Sequence, residues 1–210
     1  MASHPHFLWA DIFQRRKSEQ ATITQILLDR LAAGVEVRVL YDYVGSISFK
    51  KDELKKLAEA GATVRADVKD FFKLNYRNHR KIAVIDGVIG YTGGMNMGQE
   101  YIDGGDRFPT WRDTHLRLTG QAVAELQKLF SLRWFEVEHE DLLLDRYLPP
   151  ADDGALDGRV LTQLVAHTIE DPWEAGRRAH MIAISQAEAA LTSRVLFASL
   201  INSRAPRLRA

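Results

Sequence analysis

Asn78-His79-Arg80-Lys81-Ile82-Ala83-Val84-Ile85-Asp86 is the stretch on which the fold turns. Lys81 to Asp86 reads as a strand, Asp86-Gly87 as a tight turn and Val88 to Tyr91 as the returning strand, because Asp-Gly between β-prone runs is a strong hairpin signal. His79 and Lys81 are one position apart from adjacency, so on a strand both side chains leave the same face. An imidazole and an ammonium facing one way suit a phosphate ester. The ring can attack phosphorus, while the ammonium neutralises charge on the non-bridging oxygens. Further on comes Asn96, in Gly93-Gly94-Met95-Asn96. The glycines let backbone approach an anion closely, and the asparagine amide can donate to a phosphate oxygen.

Outward from the hairpin the pattern is α/β. Ile23, Ile26, Leu27 and Leu31 mark one face of a helix over Thr22 to Ala33, stopped by Gly34. Val35 to Tyr41 follows as a strand, Asp52 to Ala60 as a helix ended by Gly61, and Ala62 to Ala66 as a short strand. A helix feeding a strand twice predicts an α/β sandwich around a buried sheet. Thr114 to Leu118 reads as one more strand. After Gly120, the positions Val123, Leu126, Phe130, Trp134 and Val137 line a long helix. Residues 1–147 thus read as one domain. Residues 148–159, opening Leu148-Pro149-Pro150, read as a linker. Beyond lie a strand near Val160 to Ala166 and a helix from about Trp173 to Ala190, a C-terminal helical extension. For residues 191–210 two readings stand side by side, a poorly ordered basic tail or a short final helix from Thr192 to Ile201.

Composition narrows the classes. Apolar residues are 46% and charged residues 27%, ordinary for a globular chain. Lysine plus arginine and aspartate plus glutamate each number 28, a neutral balance that gives no footprint for nucleic acid. There are no cysteines, which excludes disulfides, thiolate nucleophiles and cysteine-ligated metals. No run reaches the roughly 18 apolar residues of a bilayer span, and Met1 to Trp9 does not read as a signal peptide. His4 and His6 flank a proline and read as solvent-exposed. Glu136, Glu138, His139, Glu140 and Asp141 read as an acidic, solvated helix end, and the Trp173 and Met181 face as core or an interface. His115 either lines the site beside Asp113 or simply packs on its strand.

His79-x-Lys81-x4-Asp86 followed by Gly93-Gly94-x-Asn96 resembles the HKD signature of the phospholipase D superfamily. Tyr91 to Tyr101, Trp111-Arg112-Asp113-Thr114-His115, Gly34 to Asp42 and Val44-Gly45-Ser46 are similar to bacterial cardiolipin synthases, from about residue 7 to residue 190. The resemblance implies a phospholipase D-like sandwich, one half of a bilobal fold, that cleaves and transfers a phosphodiester through a phosphohistidine. It makes His79 the nucleophile, or the acid–base partner of a nucleophile elsewhere, and has Lys81 and Asn96 hold the phosphate. Asp113 matches the acidic residue that orients the motif histidine, with Glu100 a second candidate. Gly93, Gly94, Glu100 and His115 are the expected substrate-binding positions. Asp86 belongs to the motif but reads as structural, roughly 20 Å along the strand from His79. Neither a metal nor a cofactor is implied.

The implied substrate is phosphatidylglycerol, one molecule donating its phosphatidyl group to another, at a bacterial membrane surface or in the cytoplasm. Enzymes of this type join two HKD units, since one histidine attacks while the other protonates the leaving oxygen. None of His4, His6, His115, His139, His167 and His180 is followed two places later by lysine. Asp171-Pro172-Trp173-Glu174 resembles the opening of the family's second half, so residues 160–190 are expected to begin an incomplete second HKD half, as in a truncated or frame-altered product. Three readings therefore compete: a cardiolipin synthase-like phosphatidyltransferase, a single-HKD phosphodiesterase or nuclease active as a homodimer, and an inactive fragment. The partner that completes the site is accordingly a second copy or a missing second half.

Overall fold

The computed structural model describes residues 5–11, 17–43, 45–46, 51–67, 79–96, 101, 109–148, 162–166 and 174–186. Among these residues six strands and four helices follow in the order β1 (His6–Asp11), α1 (Lys17–Ala32), β2 (Glu36–Asp42), α2 (Lys51–Glu59), β3 (Thr63–Asp67), β4 (Ile82–Ile85), β5 (Ile89–Gly93), β6 (His115–Leu118), α3 (Gln121–Glu138) and α4 (Ala175–Ser185). The strands form one sheet in the order β3-β2-β1-β4-β5-β6. β1, β2 and β3 run parallel, and β4, β5 and β6 continue the sheet in antiparallel pairs.

Helices cover both faces, and the period of two along each strand divides the core between them. Trp9, Val37 and Val39 pack with Leu27 of α1 and Leu54 and Leu57 of α2. Leu8, Leu40, Ile82 and Val84 point the other way, onto Val123, Leu126, Phe130 and Trp134 of α3. Gly34 and Gly61 end α1 and α2 at φ +84° and +103°, the left-handed conformation in which glycine avoids a side-chain clash. Among the described residues no helix is long and apolar enough to cross a membrane.

The expected α1, β2, α2, β3, hairpin, β6 and α3 are all present, within a few residues of their predicted bounds. α1 extends the expected helix back to Lys17. The sheet's third strand in order, β1, has no counterpart in the sequence reading. Its discovery corrects the exposure expected of His6, which is fully buried. The acidic end of α3 is likewise not simply solvated. Glu140 and Glu36 hold Arg38 of β2, Glu138 pairs with Arg65 of β3, and Arg133 bridges Asp67 and Glu136. Burial alone would lower the Arg38 pKa, but its bonds to Glu140 and Glu36 more than offset that and raise it.

Over Thr162–Ala166 no strand forms. Leu164 alone of these packs against the core, and one anchored side chain without a ladder cannot hold a strand. α4 exposes Met181, Ile182 and Ile184 and buries none of its residues, so Met181 is not core. The expected linker beyond Leu148, Trp173 and the tail over 191–210 lie outside the described residues.

Asp86 sits at the turn with φ 53°, followed by Gly87 at 71°, and the Val88 N–H closes the turn onto the Ile85 carbonyl at 3.0 Å. Two successive positive φ values explain the Asp-Gly pair. The Asp86 carboxylate accepts the His6 N–H at 2.9 Å, and the Asp86 N–H donates back to the His6 carbonyl at 2.9 Å. Asp86→Ala strains the left-handed turn and leaves the His6 donor without its acceptor. It should therefore cost about 2–3 kcal/mol in urea unfolding, against under about 1 kcal/mol for Asp86→Asn. Equal losses in the two variants would deny the turn and the carboxylate this role.

Candidate active site

The topology gathers the motif at one edge of the sheet. Ile82 at the start of β4 pairs with Ala10 near the end of β1, and with Thr92 near the end of β5. Gly93 pairs with His115 at the start of β6. His79, Lys81, Gly93, Gly94, Asn96, Asp113 and His115 therefore all lie at the edge where the parallel strands terminate, the usual place for a site in an α/β sheet. Asp86 lies at the opposite edge, beside His6.

Lys81 is buried, 2% exposed. Its Nζ donates to the His79 carbonyl at 2.7 Å and lies 2.9 Å from Nδ1 and 3.2 Å from Nε2 of the His79 ring. An ammonium has only protons to give, so the ring nitrogen that meets it must present a lone pair. The geometry thus puts the Lys81 ammonium directly against the His79 imidazole. Arg80, between them, leaves the other face, where burial and then the charge of Arg133 pull its pKa down.

Asn96 is also buried, and its amide N–H donates to the Tyr101 hydroxyl at 2.7 Å. Its Oδ1 has no partner among the described residues. The hydroxyl can donate as well as accept, so a half-turn of the amide lets Oδ1 take the Tyr101 proton and frees N–H donors for an anion. Tyr101 in turn packs edge-on against Trp111, with ring centroids 5.4 Å apart. Tyr101 was not singled out from sequence. No spacing rule in the sequence signals its contact with Asn96.

The two glycines have a reason in the strand behind them. A Cβ on Gly93 would lie 2.5 Å from the Thr114 carbonyl oxygen and 2.5 Å from His115 Nδ1, and one on Gly94 would collide with the Asp113 carboxylate. The sequence reading assigned their smallness to an approaching anion, while here the close neighbour is β6 and the residues leading into it. Asp113 is exposed at that point and accepts the Thr114 N–H at 2.6 Å, and its charge acts on His115. His115 is half-buried. Burial lowers its pKa and Lys81 lowers it further, against an opposing pull from Asp113. Glu100 lies outside the described residues.

Comparison with known proteins adds a family match. Residues 8–133 match the family model described as cardiolipin synthase, PLD-like domain. The chain is 42% identical over 145 residues to the cardiolipin synthase of Oceanobacillus iheyensis, covering 67% of this chain and 30% of that protein. It is 40% identical over 172 residues to the major cardiolipin synthase ClsA of Bacillus subtilis, covering 77% of this chain and 34% of that one. The chain spans about a third of the length of these curated relatives. Among solved structures, a phospholipase D family member, Nuc from Salmonella typhimurium, superposes with TM-score 0.46 at 14% identity, over 65% of this chain and 82% of that chain.

Two outcomes follow from this crowding. Gly93→Ala pushes a methyl group into the Thr114 carbonyl, which cannot yield without breaking the β5–β6 ladder, so urea unfolding should show a loss of about 2–3 kcal/mol. The depressed His115 pKa sets a sign with pH. Below the ordinary histidine range the unfolded chain takes a proton that the folded chain resists. Stability therefore falls as pH drops from that range to the folded pKa, and above it the term vanishes. Unfolding at pH 7.5 and 5.5 should show a smaller drop for His115→Gln than for the unaltered chain.

Proposed function

Because the chain belongs to the PLD-like family of the cardiolipin synthases, we propose that it carries the first half-site of a phosphatidyltransferase acting on phosphatidylglycerol. The observation that carries this is the buried Lys81 ammonium against the His79 ring, with Asn96 buried at the same sheet edge. His79 attacks the phosphorus of one phosphatidylglycerol, a P–N bond forms as the P–O bond to the glycerol head group breaks, and the leaving oxygen takes a proton from an acid. The free hydroxyl of a second phosphatidylglycerol then attacks phosphorus, gives its proton to the same group and releases His79. The products are cardiolipin and glycerol.

Lys81 and Asn96 hold the non-bridging oxygens through both steps, and Gly93 and Gly94 keep backbone rather than side chain beside them. Asp113, or Glu100, orients the imidazole of His79. Asp86 serves the fold. The acid is a histidine from outside this half-site, supplied by a second copy of the chain or by a second half of a longer protein. The first domain is taken as residues 1–147, joined through 148–159 to the beginning of that second half at 160–190. The lipid substrates place the reaction at a bacterial membrane surface.

Light scattering on the purified chain, with phosphatidylglycerol turnover assayed on the same peak, tests this. An active dimer whose turnover is abolished by His79→Ala, and cut at least about a thousandfold by Lys81→Ala, supports the half-site reading. Turnover that survives both substitutions removes it. A monomer without turnover that gains activity when the complementary half of a relative is added also supports it, whereas one that stays inactive makes the chain an inert fragment.

A further inference from the structure

One histidine of the site has an environment that fixes its chemical form. Lys81 lies one step before the Ile82–Thr92 pair of the antiparallel β4–β5 register, which sets it opposite Gly93, and Gly93 pairs with His115 on β6. The three residues make a row across neighbouring strands, and side chains in such a row share a face. The middle position has no side chain. The His115 ring fills the vacancy, with Nδ1 only 2.5 Å from where a Gly93 Cβ would stand.

That contact chooses the tautomer. The Gly93 Cα hydrogen that stands in place of a Cβ points into the space shared by Nδ1 and the Thr114 carbonyl oxygen, each 2.5 Å from that Cβ position. A bare lone pair can accept it weakly, whereas an N–H there would set two hydrogens against each other. Nδ1 is buried and has no hydrogen-bond partner among the described residues, so a proton on it would also be an unsatisfied buried donor. These contacts favour a ring proton on Nε2, and the cation, which needs both nitrogens protonated, is disfavoured. Burial and the Lys81 charge act in the same direction, and Asp113 alone opposes them. His115 as a whole is only half-buried, and Nε2 is not among the buried atoms that lack a partner.

Resting on the phosphate site proposed above, we infer that His115 is a neutral phosphate-binding residue, its Nε2–H donating to an oxygen of the phosphoryl group held by Lys81 and Asn96. Lys81 supplies charge, while Asn96 and His115 supply directed neutral donors. A neutral third donor fits beside Lys81 where a second cation would be repelled. This gives the Gly93–His115 pairing a role in binding: glycine is required so that the imidazole can lie over it and toward the lysine.

The test uses the whole chain and inorganic phosphate. Long-range 15N correlation spectra at neutral pH should show His115 uncharged with its proton on Nε2, and added phosphate should shift Nε2 more than Nδ1. A proton on Nδ1, or a charged ring, overturns the inference. In titration calorimetry His115→Leu should weaken phosphate binding about tenfold, and His115→Gln, whose amide N–H reaches nearly the same point, should stay within about threefold. Equal losses in both variants would mean that the ring only packs. Unchanged binding in His115→Leu, with loss in Lys81→Ala, overturns this inference and leaves the phosphate site standing. Unchanged binding in Lys81→Ala, or no binding by the unaltered chain, brings down the site reading and this inference with it.

Discussion

The register of the β4–β5 hairpin is the constraint from which the candidate site follows. Because Ile82 faces Thr92, Lys81 comes opposite Gly93, and Gly93 opposite His115. A slip of one residue would turn Lys81 toward α3 and drive Ile82 and Val84 out of the core they share with Leu126 and Phe130. The apolar packing of β4 and the chemistry at its start are therefore one choice of register. The Asp86-Gly87 turn enforces that choice, since its two left-handed residues fix where the chain reverses.

Burial gives the lysine its effect. An ammonium at 2% exposure has lost most of its water, and it is held by the His79 carbonyl at 2.7 Å. In the proposed site a phosphate meets a charge already desolvated and aimed, which is where electrostatic stabilisation is strongest. Asn96 is buried too, with one amide oxygen unpaired among the described residues. Such unpaired buried groups are rare in a native fold.

Much of this could be read from the sequence because the signals were local. Gly34, Gly61 and the Asp86-Gly87 pair each mark a backbone conformation that few residues adopt, and the apolar spacing of α3 follows one helix face. What escaped depends on neighbours distant in sequence. β1 is buried on both faces, so Phe7-Leu8-Trp9 shows no alternation, and the terminal position of His6 argued wrongly for exposure. The carboxylates at the end of α3 look solvated until Arg38 and Arg65, 102 and 73 residues before their respective partners, fold beneath them. Gly93 and Gly94 announced themselves as functional, but the atoms that require them belong to Asp113, Thr114 and His115.

The spacing of the motif then has a physical reading. One residue separates histidine from lysine, and just ahead of β4 that spacing brings the Lys81 Nζ to the His79 ring and carbonyl. Four separate lysine from aspartate because β4 is four residues long, Ile82 to Ile85, and the aspartate must stand at its turn. There it exchanges two hydrogen bonds with His6, tying the far end of β4 to β1. The signature thus records a strand with chemistry at one end and a lock on its register at the other. A residue can belong to such a signature without meeting the substrate, provided that its contact decides where the residues that do meet it will face.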